Sequence, residues 1–173
     1  MLDLDKIQPI LDACPVEYYL SANDNVVSTW PWRMQPPHET NDRYRAVSDG
    51  YIVDSAPQRD DIGNRDVVEA GVEMDATAVI LEDIYLDCEA TIDSVREGLD
   101  LVDDLGYDGD VIVPLQRPYD RCYKALEGES DWYALGGLKD SSGRERVREL
   151  RAFHELAPDV RVHGLGWGVD GPL

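Results

Sequence analysis

Beyond residue 50 the apolar residues fall into two alternating patterns. Short continuous runs rich in β-branched and aromatic side chains predict buried strands at Tyr51–Asp54, Ala78–Leu81, Val111–Leu115, Trp132–Leu135 and Val160–Leu165. Between them the apolar positions recur every three or four residues, the period of a helix with one buried stripe. The first such segment runs near Asn64 to Met74, with Asn64 as N-cap and Val68 and Val72 turned inward. The second carries Ile92, Val95, Leu99, Val102 and Leu105 and is closed by Gly106. A third begins at Pro118, which suits a first helical turn, and runs to about Glu127. The fourth is opened by the capping-box pair Ser142 and Glu145 and ends near Ala157–Pro158. Five strands alternating with four helices over about 115 residues are the pattern of successive βαβ units in a parallel sheet.

The N-terminal part is less regular. Leu2, Leu4, Ile7, Ile10 and Leu11 predict a short helix interrupted or ended near Pro9, and Val16–Leu20 or residues 25–29 supply a further strand. Residues 21–45, with Trp30, Trp32, Pro36, Pro37 and His38, read as a long loop whose tryptophans line an aromatic pocket or cover one end of the sheet. His38, beside two prolines, reads as a solvated loop residue. The whole chain, 1–173, then forms one α/β domain: a helix, strand and loop over 1–45, and repeated βα units over 46–168. Its expected architecture is a (β/α)8 TIM-barrel-like fold with six or seven of the eight strands, incomplete or completed by another chain.

Each strand ends in residues able to touch a ligand. Asp54 and Ser55, then Glu82 and Asp83, then Gln116, then Gly136 and Gly137, then His163 to Gly166 gather at one end if the sheet curls, and α/β folds bind ligands outside the carboxyl ends of their strands. Asp54 there serves as a base, a nucleophile or a ligand anchor, or simply caps the following turn.

Charge narrows the setting. Sixteen Lys plus Arg against 36 Asp plus Glu give a net charge of −20, and Lys6, Lys124 and Lys139 are the only lysines. Scattered carboxylates with few lysines describe a surface kept hydrated in concentrated salt, which points to a halophile or one of its viruses. At low ionic strength such a field repels nucleic acid, but at molar salt the Debye length shrinks to about 3 Å and local arginines can engage phosphates. The three cysteines, Cys14, Cys88 and Cys122, are far apart in sequence and have no zinc-type spacing, so a reduced, cytoplasmic setting without protein metal site or cofactor is expected. No apolar run approaches a membrane span, and the N-terminus lacks the basic start of a signal peptide.

In content and order the series Val53-Asp54-Ser55, Leu81-Glu82-Asp83, Val113-Pro114-Leu115-Gln116, Leu135-Gly136-Gly137-Leu138 and His163-Gly164-Leu165-Gly166 resembles the tRNA-guanine transglycosylase superfamily, closest to its branch that exchanges guanine in DNA for a 7-deazaguanine. The resemblance covers roughly residues 45–168. It implies a purine or 7-deazapurine base as substrate, DNA or tRNA as partner, and Asp54 as general acid/base. It implies further that Asp83, or Glu82 if the register slips by one, accepts hydrogen bonds from the base, with Gln116 and the backbone of Gly136, Gly137 and Leu138 completing the recognition. A purine's N1 and N2 donors suit a carboxylate, its O6 an amide or backbone N–H, and paired glycines let the backbone approach closely. Two departures stand out: Ala56 and Pro57 replace the family's glycines, and the strand that carries the family's nucleophilic Asp is not matched, Asp170 being the only acid that follows.

Three readings follow: a transglycosylase-like enzyme or subunit, a base-binding module without catalysis, and an unrelated half-barrel isomerase or lyase that binds sugar phosphates. A homo-oligomer or a partner chain would close an open sheet edge. Trp167, directly after the last motif, is the aromatic residue best placed to stack a purine, whereas Tyr119, Tyr123 and Trp132 are expected in core or rim packing. Arg144, Arg148 and Arg151 share a helical face, interleaved with Glu145 and Glu149 as in a solvated, ion-paired helix. His163 is expected as a core histidine and His154 as a complement to the helix dipole.

Overall fold

The computed structural model describes residues 17, 19–21, 30–55, 59 and 61–165. The expected helix over 2–11, Val16, residues 25–29, Cys14, Ala56, Pro57, Gly166, Trp167 and Asp170 lie outside the described residues.

Six strands form one sheet in strict sequence order, β1 (Trp32–Gln35), β2 (Gly50–Val53), β3 (Ala78–Ile80), β4 (Asp110–Leu115), β5 (Trp132–Leu135) and β6 (Arg161–Gly164), every neighbouring pair parallel. The crossovers carry α1 (Asp42–Arg45), α2 (Asn64–Glu73), α3 (Cys88–Leu105), α4 (Tyr119–Leu126) and α5 (Gly143–Leu156), with a 3-10 turn at Pro37–Glu39 before α1. Among the described residues no helix is long and apolar enough to cross a membrane.

Both faces of the sheet are buried along its central strands β2 to β5, which is why these read as largely unbroken apolar runs. Val53, Val79, Val113, Leu115, Tyr133 and Leu135 face the helices and join Val67, Val68, Ile92, Val95, Leu126 and Phe153 in the main core. The alternate residues Ile52, Ala78, Ile80, Ile112, Trp132 and Ala134 form a second cluster on the other face, packed by Met34, Leu165 and Tyr19. Leu20 pairs with the outer edge of β1 through Leu20 N–H to the Trp32 carbonyl (3.1 Å) and Met34 N–H to the Leu20 carbonyl (3.0 Å). Its neighbour Tyr19 nevertheless packs against Trp132 and His163 of β5 and β6, with both ring centroids 6.4 Å away. A side chain next to the first edge can reach the last two strands only if the sheet curls round it. The architecture is an α/β half-barrel.

Two sequence expectations are corrected here. Residues 32–35 are a strand, not part of a loop, and the short α1 follows. The period of β1 is hidden because its helix-facing residues are polar: Arg33 and Gln35 are fully buried in register with Tyr51 and Val53. The Arg33 guanidinium lies 4.4 Å from the centre of the Tyr44 ring, and the Tyr51 hydroxyl donates to Gln35 Oε1 at 2.6 Å. In α2 the N-cap is Gly63, whose N–H donates to Asp66 at 3.0 Å, while Val67 and Val68 are buried and Val72 is exposed. Elsewhere boundaries shift by a few residues: α3 starts at Cys88, capped by Asp87, whose carboxylate accepts from Ala90 N–H, and it is closed by left-handed Gly106. The Ser142–Glu145 capping box opens α5.

Candidate functional site

The site grows from the C-terminal ends of β2, β3, β4 and β5. Asp54 directly follows β2, its N–H still bound to the Gln35 carbonyl at 2.9 Å. Half-buried, it is deprived of water and faces the charge of Asp83; these two effects outweigh the N–H of Ser55 and push its pKa up to about 6. Ser55 beside it is buried, and its hydroxyl has no hydrogen-bond partner among the described residues.

The residues after β3 diverge. By strand alternation Glu82 would share the face of Ile80, but the ladder has ended and the backbone turns. Glu82 N–H donates to Asn64 Oδ1 at 2.7 Å, and its carboxylate accepts from Ser94 Oγ at 3.3 Å, so it points at α2 and α3. Burial raises its pKa, opposed by the Ser94 hydrogen bond. Asp83 is the carboxylate that reaches the tips of β4 and β5. It is 7% exposed, Oδ2 accepts from Gln116 Nε2, and Oδ1 has no partner among the described residues. Burial lifts its pKa against the opposing Gln116 hydrogen bond.

Gln116 is fully buried and engaged at both ends of its amide: Oε1 accepts the Leu86 N–H at 3.2 Å while Nε2 donates to Asp83. That pairing fixes the amide orientation and makes Gln116 the support that aims Asp83. Gly136 is required by this contact, since a Cβ there would lie 2.3 Å from Gln116 Nε2 and 2.9 Å from Asp83 Oδ2. Its carbonyl accepts from the Tyr119 hydroxyl at 2.5 Å, which accounts for that buried tyrosine. Gly137 adopts φ +71°, a left-handed conformation, with Gln116 Oε1 and Leu86 Cδ2 close to where a side chain would begin. Leu138 turns away: its side chain lies in the helix-side core, and its carbonyl accepts from Arg146 Nε at 3.1 Å.

Asp54, Ser55, Asp83, Gln116, Gly136 and Gly137 therefore share the strand-tip end, whereas Glu82 and Leu138 face helices. The structure adds two residues that the sequence did not mark for this end of the sheet. Asn64, 5% exposed, binds Glu82 N–H and donates to the Ser94 carbonyl at 2.7 Å, tying the β3 tip to α2 and α3. Leu86 holds the Gln116 amide through its N–H while its own backbone sits at φ +58°. No sequence signal marks Leu86, because its part is played by a backbone group.

No family model matches this chain, and no curated protein matches it.

His163 lies on the curled inner face against Tyr19, where burial lowers its pKa to about 4 and keeps it neutral. Cys88 and Cys122, distant in sequence, are close in the fold: both are buried free thiols, with Cys122 Sγ 4.0 Å from the Cys88 carbonyl. Tyr123 and Trp132 are buried in packing roles. Arg144, Arg148 and Arg151 line an open groove of about 770 Å³ along α5, and Arg148 pairs with Glu149 at 2.9 Å. A second groove, about 700 Å³, separates α4 from α5. Both are lined by helix residues and their approaches, not by the strand-tip carboxylates.

Proposed function

We propose that this chain takes up a purine base, guanine or a 7-deazaguanine, at the tips of β2 to β5, as a guanine transglycosylase-like protein acting on DNA or tRNA. The observation that carries this reading is the Asp83 carboxylate: buried, held through Oδ2 by Gln116, and with Oδ1 unpartnered among the described residues. A buried acceptor without a donor costs about 1–3 kcal/mol, and a ligand edge bearing adjacent N–H groups, such as N1 and N2 of guanine, recovers it. Asp54, with a pKa near 6, exchanges a proton readily around neutrality and takes the role of general acid/base toward the departing base. On this reading the half-barrel belongs to a (β/α)8 barrel closed by further strands of this or another chain. The acidic surface suits the cytoplasm of a salt-loving archaeal host, whether the gene is the host's or a virus's.

Calorimetric titration in molar KCl tests the reading. Guanine and 7-cyano-7-deazaguanine are expected to bind and adenine not to, and Asp83→Ala is expected to weaken binding roughly a hundredfold, as for the loss of a hydrogen bond to a charged group. Unchanged affinity in Asp83→Ala would overturn the assignment. Incorporation of labelled guanine into DNA or tRNA then separates an exchanging enzyme from a module that only binds the base.

A further inference from the structure

The β3–α3 turn, residues 81–87, is tightly held through its backbone yet displays apolar side chains to solvent. Ile84 N–H donates to Thr91 Oγ1 at 3.0 Å, Thr91 Oγ1 donates back to the Ile84 carbonyl at 3.2 Å, and Asp87 N–H closes on the same carbonyl at 2.9 Å. Leu86 N–H is bound to Gln116. Despite these anchors Ile84, Tyr85 and Leu86 are 36%, 55% and 55% exposed, three consecutive large apolar residues. Leu86 also occupies the left-handed region, φ +58°, where a Cβ-bearing residue is disfavoured and glycine or asparagine is the ordinary choice. Exposed apolar surface on a rigid, strained turn is explained by neither local stability nor core packing.

Its position is specific. Leu86 Cδ2 lies 3.2 Å from where a Cβ on Gly137 would begin, and the Tyr85 hydroxyl reaches the Asp140 carboxylate, 3.4 Å away, beyond the β5 tip. The turn thus crosses the β4 tip beside Gln116 and the Asp83 carboxylate whose Oδ1 is buried and unpartnered. An apolar wall next to an unpartnered buried carboxylate oxygen suits one kind of occupant: a flat heteroaromatic ring that offers a face to the wall and an N–H edge to the carboxylate.

We propose that Tyr85 and Leu86 form the stacking wall of the strand-tip site, taking the flat face of a planar heteroaromatic ligand whose edge meets Asp83. This deepens the purine-binding reading and rests on it for the identity of the ring. Base stacking on an aromatic side chain is worth roughly ten-fold or more in affinity on truncation.

The experiment is titration of the full chain in molar KCl with guanine, adenine and cytosine, for the wild type and for Tyr85→Ala, Leu86→Gly and Asp83→Asn, with thermal melts of each. Tyr85→Ala is expected to weaken guanine binding roughly ten-fold or more, and Leu86→Gly to weaken it several-fold through lost apolar contact. Neither is expected to lower the melting temperature, because the side chains are exposed and glycine relieves the left-handed backbone. A merely structural residue would show the reverse: lowered stability with affinity retained. If guanine binds the wild type, Asp83→Asn weakens binding, and Tyr85→Ala and Leu86→Gly leave it unchanged, the wall is overturned while the purine reading stands. If all three bases bind and depend on Tyr85 but not on Asp83, the wall stands and the guanine reading falls. Binding of none of them overturns both.

Discussion

Among single residues, Asp54 carries the sharpest consequence. Its pKa of about 6 in the fold exceeds the ordinary 3.8, so the native state holds the proton more tightly than the unfolded chain does. Between these values the folded protein binds more protons, and stability falls as pH rises from about 4 to 6, then levels off. Asp54→Asn removes this penalty while keeping the shape of the side chain. The variant is expected to be more stable than the wild type by about 1–3 kcal/mol at pH 7.5, measured by denaturant unfolding at constant salt, with the gain vanishing below about pH 4. A gain independent of pH would mean that the surroundings do not raise the pKa of the carboxylate. The same substitution is expected to abolish any base exchange, because an amide cannot shuttle the proton.

At the scale of elements, α2, α3 and the β3 tip meet at Asn64. Its side chain accepts from Glu82 N–H and donates to the Ser94 carbonyl and hydroxyl, at 2.7, 2.7 and 3.1 Å. Asn64→Ala leaves the partly buried Glu82 N–H unpartnered and opens a small gap, for an expected loss of about 1–3 kcal/mol in chemical denaturation. Hydrogen exchange at Glu82 and Asp83 is expected to quicken more than at the centre of β4, since the lost contacts hold the tip rather than the ladder. An effect below about 0.5 kcal/mol would show that Asn64 is incidental. In the sequence Asn64 looked like a helix cap, because Asn before an apolar stripe is the usual cap signal and nothing local reveals a partner 30 positions away in α3. For the same reason the sequence pattern of β1 suggests a loop. Its helix-facing positions are Arg33 and Gln35, polar residues whose burial against partners such as Tyr44 and Tyr51 is set by tertiary approach. β2 to β6 were legible because their strands are largely apolar and each run is bounded by turn residues or charge.

For the molecule as a whole, the net charge of −20 sets the response to salt. Raising KCl from about 0.1 to about 1 M shortens the Debye length from about 10 to about 3 Å and screens the self-repulsion of the acidic surface. The melting temperature is expected to climb through that range in thermal scans at fixed pH, and a flat or falling profile would remove the basis for a salt-adapted protein. What the sequence alone determined is what local pattern can encode: alternating strands and helices, their parallel order, the polar residues waiting at each tip, and the sign of the surface charge. The tertiary structure decided which of those tip residues meet. Glu82 turns toward the helices and Asp83 toward Gln116, the amide of Gln116 is committed to Leu86, and Leu138 faces the core. The reason is physical: strand alternation lapses once the ladder ends, and from there side-chain direction is set by hydrogen bonds between segments about 30 residues apart.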